Sequence, residues 1–230
     1  MINPILGQND NSQSEIEYTR PMQSSFWVII AAIILYGVIH SLLAALGFKQ
    51  WVRRRLGDNA YRRYYRLFFS VQAGVLFLPV LALVALLPDE VIYRIPMPWM
   101  VLTILLQVAA VVLLAHSVML TGALRFIGLA QAADPEQAEK PLPLVVRGMY
   151  RWVRHPLYTL TFVFIWLVPQ MSWNTLALNI GVTFYTLVGA MLEERKLLHE
   201  FGESYAHYRA HTPFLIPGLI LKKKQIDKNA

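Results

Sequence analysis

Residues 147–158 contain side chains that could bind a charged ligand at the edge of a membrane. The stretch holds three arginines, a histidine, two tyrosines and a tryptophan, and Pro156 precedes a long apolar run. Because proline is tolerated in the first turn of a helix, we interpret Arg154 and His155 as lying at the start of a membrane helix. Free N–H groups and the positive end of the helix dipole would suit an anionic group there. An ordinary interfacial anchor built from Arg and Trp is the alternative interpretation.

A second polar cluster begins at Glu193 and Glu194, where a long uncharged tract ends. The two carboxylates would face Arg154 across the same membrane boundary, where a carboxylate could act as a base or hold a cation. The alternative is an amphipathic helix that lies along the membrane surface, with Phe201 and the tyrosines after it as interfacial anchors. That alternative explains the aromatic residues, but it does not explain two adjacent carboxylates.

The composition indicates a membrane protein with several spans. Hydrophobic residues make up 56% of the 230 residues, and the mean hydropathy is +0.44. There is no cysteine, which excludes disulfides, cysteine–metal sites and a thiolate nucleophile supplied by the protein. The net charge of +7 does not indicate nucleic acid, because membrane proteins concentrate Lys and Arg on their cytoplasmic side. We therefore expect the lipid bilayer, and no nucleic acid, as a partner. A nucleotide-like cofactor would bind without a G-x-G-x-x-G loop or a P-loop, since the sequence has neither.

The apolar runs predict an all-α protein with five transmembrane helices. Runs at 26–48, 67–87 and 99–120 are each long enough to cross a bilayer. The uncharged tract at 157–192 would exceed about 50 Å as one helix, well beyond a hydrocarbon core of about 30 Å. A break at 169–174 would divide it into helices four and five, paired as a hairpin, with a short first arm.

The distribution of Lys and Arg predicts the orientation. Of 21 such residues, seven lie in 49–66, five in 125–154 and seven in 195–228, whereas only Arg20 and Arg94 fall elsewhere. The positive-inside rule then puts the N-terminus outside and the C-terminus in the cytoplasm. We expect a multi-pass membrane protein whose two polar clusters face the cytoplasm. The sequence does not indicate an oligomeric state.

This topology divides the chain into four parts. We expect a flexible extracytoplasmic N-terminus at 1–25, a three-helix membrane part at 26–120, a functional core at 121–217 and a basic tail at 218–230.

Both polar clusters match patterns of one enzyme superfamily. Gly148 to Tyr158 reads G-x-Y-x-x-x-R-H-P-x-Y, and Glu193 to Tyr208 reads E-E-x-x-L-x-x-x-F-G-x-x-Y-x-x-Y. The chain thereby resembles the membrane methyltransferases of the isoprenylcysteine carboxyl methyltransferase superfamily. Its front half is similar to the bacterial branch of NnrU-like proteins and methanethiol S-methyltransferases. The residues that carry this second similarity are His40, Ser41, Phe48, Lys49, Trp51 and the run at 65–68.

The resemblance implies a site for S-adenosylmethionine at the cytoplasmic interface, built without a Rossmann sheet. The residues implied to contact the cofactor are Leu142, Pro143, Leu144, Val145, Gly148, Tyr150, His155, Pro156, Leu157, Tyr158 and Glu193. We expect Glu193, His155 and Arg154 to be catalytic. Arg154 and His155 would hold polar groups of the cofactor. Glu193 would hold its ammonium or sugar hydroxyls, or act as a base.

The sequence departs from the superfamily pattern at two positions. The carboxyl methyltransferases carry an arginine four residues before the glutamate, where it engages the substrate carboxylate, and this chain has Gly189 there. Leu142 replaces the leading histidine of the upstream segment. A bidentate Arg–carboxylate clamp has no neutral substitute, so the sequence favours a small or lipophilic acceptor such as a thiol. An isoprenylcysteine carboxyl O-methyltransferase or a lipid methyltransferase is the alternative.

Other classes of function stay open at this point. His40 and His116 could be the axial ligands of a haem in an electron-transfer protein, since bundle cores host such sites. A metal site could use His199, His207 and His211, of which the last two have i, i+4 spacing. A non-enzymatic NnrU-like membrane protein is a further alternative.

Overall fold

The computed structural model describes residues 10–219, and these residues are mostly helical. The elements in chain order are α1 (Asp10–Ala44), α2 (Leu46–Leu56), α3 (Asp58–Leu86), β1 (Val91–Arg94), α4 (Trp99–Leu120), α5 (Ala123–Ile127), α6 (Leu129–Ala133), α7 (Pro135–Glu139), a 3-10 turn (Gly148–Arg151), α8 (Pro156–Trp166), β2 (Gln170–Ser172) and α9 (Trp173–His211). The first nine residues and most of the basic tail at 218–230 lie outside the described residues.

Within residues 10–219, four helices are long and apolar enough to cross a membrane. They are Ser24–Ala44 within α1, Asp58–Leu86, Trp99–Leu120 and Trp173–His211. The predicted spans at 99–120 and 67–87 fall on α4 and α3, and the first falls on α1. The first span was predicted to run to residue 48, but α1 ends at Ala44. Ala45 has an extended backbone, with φ −66° and ψ 143°, and the basic segment after it forms the separate helix α2.

The tract at 157–192 contains a short helix, a strand and the start of a long helix. Helix α8 has 11 residues and is roughly 16 Å long, about half of a hydrocarbon core. Strand β2 follows it and pairs antiparallel with β1. The prediction of an all-α fold was therefore wrong in this detail. Two strands of four and three residues are too short for an alternating pattern to reveal them.

Close packing joins α1 to α9. Ile29, Ile33, Val80 and Ala177 form a buried apolar cluster between α1, α3 and α9. A Cβ atom on Gly181 would lie 2.5 Å from the Ile33 side chain, which would have to shift to accommodate it. Small residues often allow membrane helices to pack this tightly.

The end of α3 is fastened to the start of α9. The buried Asn174 side chain donates hydrogen bonds to the carbonyls of Leu87 (3.1 Å) and Val84 (3.3 Å). Its backbone N–H donates to the Asp89 carboxylate over 3.0 Å. The Trp173 N–H donates to the Glu90 carbonyl. These bonds fix the end of α9 that lies furthest from Glu193.

The basic start of α3 holds the linker that leads to the site. Arg63 donates to the Ala132 carbonyl over 2.8 Å, and Arg66 donates to the Phe126 carbonyl over 3.0 Å. Between them Gly128 has φ +93°, and a Cβ atom there would lie 2.3 Å from the backbone nitrogen of Leu67. Only glycine allows this contact. Arginines that the sequence assigns to positive-inside anchoring therefore also bind helix α6 and the end of α5.

Candidate active site

The start of α8 is covered by the segment that follows α9. Pro156 is in the first turn of α8, as the sequence predicted. The Arg154 N–H donates to the Pro213 carbonyl over 2.8 Å, and the His155 N–H donates to the Phe214 carbonyl over 3.3 Å. These two N–H groups are therefore not among those that the helix start could offer to an anionic ligand. The chain itself uses them to bind its C-terminal segment.

Glu194 is the centre of a buried hydrogen-bond network. Its side chain is only 9% exposed. Oε1 accepts from Tyr205 Oη at 2.6 Å and Arg154 Nε at 2.9 Å, and it lies 3.0 Å from His155 Nε2. Oε2 lies 3.2 Å from Arg209 Nε. Several charged partners compensate the burial of this carboxylate. Glu194 therefore joins the start of α8 to both halves of α9.

Arg154 binds the C-terminal segment with its remaining donors. Its Nη1 donates to the carbonyls of Arg209 (2.8 Å) and Thr212 (2.9 Å), and the guanidinium lies 5.4 Å from the Phe214 ring centroid. Gly202, with φ +54° and ψ −128°, interrupts α9 so that its last part can turn back toward this group. The geometry thus gives Arg154 a positioning function in this arrangement.

His155 lies between the two carboxylates. Its Nε2 is 3.0 Å from Glu194 Oε1, and its Nδ1 is 3.6 Å from Glu193 Oε2. Burial by itself lowers the pKa of His155, but the hydrogen bonds and charges of Glu193 and Glu194 outweigh it and raise that pKa above its ordinary value. The imidazolium can donate from both nitrogens. His155 is therefore suited to clamp the two carboxylates as a cation, and it is poorly suited to act as a base.

Glu193 differs from its neighbour, because it faces a cavity. Its side chain is 45% exposed, and Oε2 accepts a hydrogen bond from Tyr158 Oη over 2.9 Å. Two adjacent carboxylates thus have distinct surroundings. Glu194 is saturated by cationic and hydroxyl donors, whereas Glu193 keeps an open side that a ligand or a proton can reach.

The cavity beside Glu193, which we name the α8 cavity, has a volume of about 260 Å³. Most residues predicted to form a cofactor site line it, namely Leu142, Pro143, Leu144, Val145, Tyr150, Arg154, His155, Pro156, Leu157, Tyr158 and Glu193. Gly148 has another position: with φ +63° it packs against Leu120 and His116 on α4. The predicted residues thus come from three separate segments of the chain and line one shared cavity.

Some lining residues were not predicted. Leu197 and Phe201 follow Glu193 at intervals of four, so they share a face of α9 with it, and Tyr205 comes from the part of α9 beyond Gly202. That spacing was a usable signal in the sequence. Thr121 and Phe126 also line the cavity, but they come from the end of α4 and from α5, and no pattern in the sequence marks them.

Tyr150 forms the wall opposite Glu193. Burial, followed by the charge of Glu193, raises the pKa of Tyr150 to about 12, so its hydroxyl stays protonated. The Tyr208 hydroxyl donates to the Tyr150 carbonyl over 2.6 Å. The turn that carries Tyr150 is thereby fixed to the last part of α9.

The histidines considered as haem or metal ligands lie in different surroundings. His40 packs among Tyr36, Phe69 and Tyr185, whereas His116 lies beside Gly148. His207 and His211 stack with ring centroids 4.4 Å apart, and His211 Nδ1 lies 2.8 Å from the His207 carbonyl oxygen. Among residues 10–219, no three His, Asp or Glu side chains come together as a metal site.

The α8 cavity has donors and acceptors that suit S-adenosylmethionine. The open carboxylate of Glu193 can accept from an ammonium group or from sugar hydroxyls. The rings of Tyr150 and Tyr158 offer faces for a purine and for a positively charged sulfur. The apolar segment at 142–145 forms one wall. The volume is slightly below the usual range for small-molecule sites, which is about 300–1,000 Å³.

Comparison with known proteins supports one family. The family model described as NnrU protein matches residues 28–219. The chain belongs to the NnrU protein family. It is 31% identical to the methanethiol S-methyltransferase of Pseudomonas deceptionensis over 201 residues, which cover 84% of this chain and 72% of that protein.

Further relatives have similar names. The chain is 30% identical to the methanethiol S-methyltransferase of Mycobacterium tuberculosis (strain ATCC 25618 / H37Rv), over 82% of this chain and 78% of the relative. It is also 30% identical to methanethiol S-methyltransferase 1 of Bradyrhizobium diazoefficiens, over 80% of this chain and 64% of the relative. No solved structure matches the chain at a significant level.

Proposed function

We propose that this protein is an S-adenosylmethionine-dependent membrane methyltransferase that methylates a thiol. The observation that carries the proposal is the α8 cavity, where an open carboxylate, Glu193, faces two tyrosines beside a clamped histidine. The names of the relatives, all methanethiol S-methyltransferases, support a thiol as the acceptor.

In this proposal the α8 cavity holds the methyl donor. Tyr150 and Tyr158 bind its ring and charged sulfur, and the segment at 142–145 covers its apolar parts. When bound, the donor supplies a methyl group on a positively charged sulfur, which is already activated toward a thiolate. The protein therefore needs to align the acceptor, remove its proton and exclude water.

The acceptor proton would leave through Tyr158. The Tyr158 hydroxyl already donates to Glu193 Oε2 over 2.9 Å. As a thiol gives its proton to the Tyr158 oxygen, the Tyr158 proton passes to Glu193, which leaves a thiolate, an intact tyrosine and a neutral glutamic acid. The thiolate is the nucleophilic form of a thiol. His155, held as a cation between Glu193 and Glu194, keeps the accepting carboxylate in position.

The remaining parts of the topology belong to the same proposal. The N-terminus is outside and the C-terminus cytoplasmic, in agreement with the distribution of Lys and Arg. Helix α8 and the first part of α9 form a membrane-inserted hairpin, whose short arm is completed by the extended residues before α9. The site then opens to the cytoplasm of a bacterial inner membrane. Residues 26–120 and 121–217 act as a membrane scaffold and a catalytic core.

A carboxylate acceptor is disfavoured at Gly189. An ideal Cβ atom there would have no heavy atom within 4 Å, so the position has room for a side chain but carries none. A carboxylate buried near it would lack the charged partner that its burial requires. An uncharged acceptor requires no such partner.

The test is methyl transfer by purified protein supplied with methyl-labelled S-adenosylmethionine and a thiol. We expect a labelled sulfide from the wild type. Glu193→Gln should lower kcat by about 10²–10⁴, the usual contribution of a general base. Glu200→Gln, a change of the same kind at an exposed position on α9, is the control. Transfer to no thiol by the wild type, or equal kcat values for the two variants, would refute the proposal.

Donor affinity separates the two functions considered for Glu193. If Glu193 acts as the base, the donor Kd of Glu193→Gln stays close to that of the wild type while kcat falls. A Kd that rises by the same factor as kcat/KM falls would instead identify Glu193 as a donor-binding group and refute the relay through Tyr158.

A further inference from the structure

A second, larger cavity lies between α1 and α9. We name it the α1–α9 cavity, and its volume is about 980 Å³. Its walls are mainly apolar, with Ile30, Ile33 and Ile180 among the lining residues. Binding of the methyl donor in the α8 cavity does not account for this second cavity. Its size and its lining are those of a site for an apolar molecule.

The α1–α9 cavity adjoins the α8 cavity at Tyr158, which lines both. This is the residue whose hydroxyl donates to Glu193. A molecule in the α1–α9 cavity would thus contact the same tyrosine as a ligand of the α8 cavity. The positions of the two cavities, on either side of one tyrosine, suit an acceptor site in the α1–α9 cavity and a donor site in the α8 cavity.

The polar groups of the α1–α9 cavity come from His40, Ser41, Tyr158, Tyr185 and Thr186. The His40 ring centroid lies 6.2 Å from that of Tyr185, and its Nδ1 is 3.2 Å from Gln72 Nε2 on α3. The contact to Gln72 holds the ring of His40, which is one of the few polar side chains in this lining. An acceptor that has one polar atom and an apolar tail matches this lining.

The exposed side chains on the rim show where a ligand would enter. Residues on both helices have large exposed fractions, and they are Trp27, Ile34, Val38, Phe184 and Val188. These side chains belong to helices that are long and apolar enough to span a membrane, so in a bilayer they face lipid. The opening is therefore reached from the hydrocarbon region, where apolar solutes concentrate.

The volume argues against a very small acceptor. Methanethiol has two heavy atoms, and at roughly 30 Å³ for each water-sized group it would fill less than about a tenth of the cavity. Such a ligand would leave most of the apolar wall without contacts. A thiol with an alkyl or aryl group of several carbons would cover far more of that wall.

We propose that the α1–α9 cavity is the acceptor site and that the preferred acceptor is a lipophilic thiol which enters from the bilayer. This inference rests on the proposed methyltransferase function. In the reaction, the thiol S–H bond breaks and its proton goes through Tyr158 to Glu193. A bond forms between the acceptor sulfur and the methyl carbon as the sulfonium C–S bond breaks, and that electron pair stays on the donor sulfur. The products are a methyl sulfide and S-adenosylhomocysteine.

The experiment measures kcat/KM for straight-chain thiols from methanethiol to hexanethiol in one detergent. For the wild type we expect an increase along the series of up to roughly fourfold per methylene. Gly189→Leu puts a side chain into the cavity, where a Cβ has open space. It should lower kcat/KM for hexanethiol at least tenfold relative to wild type and change the value for methanethiol by less than about threefold.

Gly74→Leu is the matched control, because it is a helical glycine on α3 with open space around a Cβ, and it lines neither cavity. The kcat/KM of Gly74→Leu divided by that of the wild type should be the same for every thiol. Because each ratio compares two proteins with the same thiol in the same detergent, partitioning of the thiol into detergent cancels. Val38→Trp puts a larger side chain into the cavity from α1, and it repeats the test if Gly189→Leu does not bind the donor.

The outcomes separate the two proposals. A wild type that transfers the methyl group best to methanethiol, or wall variants whose loss is equal for all chain lengths, would overturn the acceptor site but leave the methyltransferase intact. A wild type that methylates none of these thiols would refute the proposed function itself. Selective loss of the long thiols in the wall variants supports the α1–α9 cavity.

Discussion

Replacing Glu194 by Gln tests whether the buried network holds the site together. The substitution preserves the shape of the side chain but removes the charge that faces Arg154, His155 and Arg209. Removing one partner of a buried ionic network costs about 3–5 kcal/mol. We expect the lower value, about 3 kcal/mol, because Arg209 is partly exposed and Gln can still accept the Tyr205 hydrogen bond.

Thermal unfolding of the purified protein gives the measurement. For a chain of this size about 1 kcal/mol shifts the Tm by about 2–4 °C, so Glu194→Gln should lower the Tm by about 6–12 °C. Glu200→Gln, on an exposed part of the same helix, should leave the Tm within about 2 °C of wild type. Equal Tm values for the two variants would show that Glu194 does not organise the site, and the argument from its donors would then be wrong.

Three more predictions concern neighbouring groups. Because the folded-state pKa of His155 is raised, its stabilisation is complete below the unfolded pKa of about 6.5 and is lost as the pH rises through the folded value. The wild-type Tm should therefore decrease as the pH rises above about 6.5, and His155→Gln should remove this dependence of Tm on pH. A dependence that the substitution leaves unchanged would contradict the binding of both carboxylates by a cationic His155. Tyr158→Phe should lower kcat at least tenfold and leave the donor Kd unchanged, since the ring stays and the hydroxyl is lost, as steady-state kinetics and donor titration can check. Gly128→Ala should destabilise the protein by about 1–3 kcal/mol in thermal unfolding, because of its φ of +93° and the Leu67 backbone, whereas Gly47→Ala, with open space around its Cβ, should be neutral or slightly stabilising.

The parts of the fold that follow from long patterns could be predicted. Apolar runs of spanning length located α1, α3 and α4, because a helix that crosses lipid needs about 20 apolar residues. The strands β1 and β2 could not be predicted, since they are too short to show alternation and their pairing joins residues about 80 apart in sequence. The end of α1 at Ala44 was missed for a related reason, because apolar residues continue to Phe48 and give no local signal.

The residues of the candidate site could be predicted from the sequence, but the separate role of each residue could not. The two motifs contain seven of the eleven predicted residues that line the α8 cavity, and the other four lie in the segment at 142–145 before the first motif. They did not reveal which glutamate is saturated, because that depends on Tyr205 and Arg209, which return to Glu194 only through the turn at Gly202. A tertiary contact of this kind leaves no trace in local spacing. The contacts of Arg154 with Glu194 and with the C-terminal segment have the same origin.

The central claim is that the methyl donor binds in the α8 cavity, and its most direct test is photochemical cross-linking of labelled S-adenosylmethionine followed by peptide mapping. We predict saturable labelling of peptides from 142–158 and 193–208, which excess S-adenosylhomocysteine suppresses. Labelling confined to peptides from 26–42, or labelling that excess S-adenosylhomocysteine does not reduce, would contradict the claim.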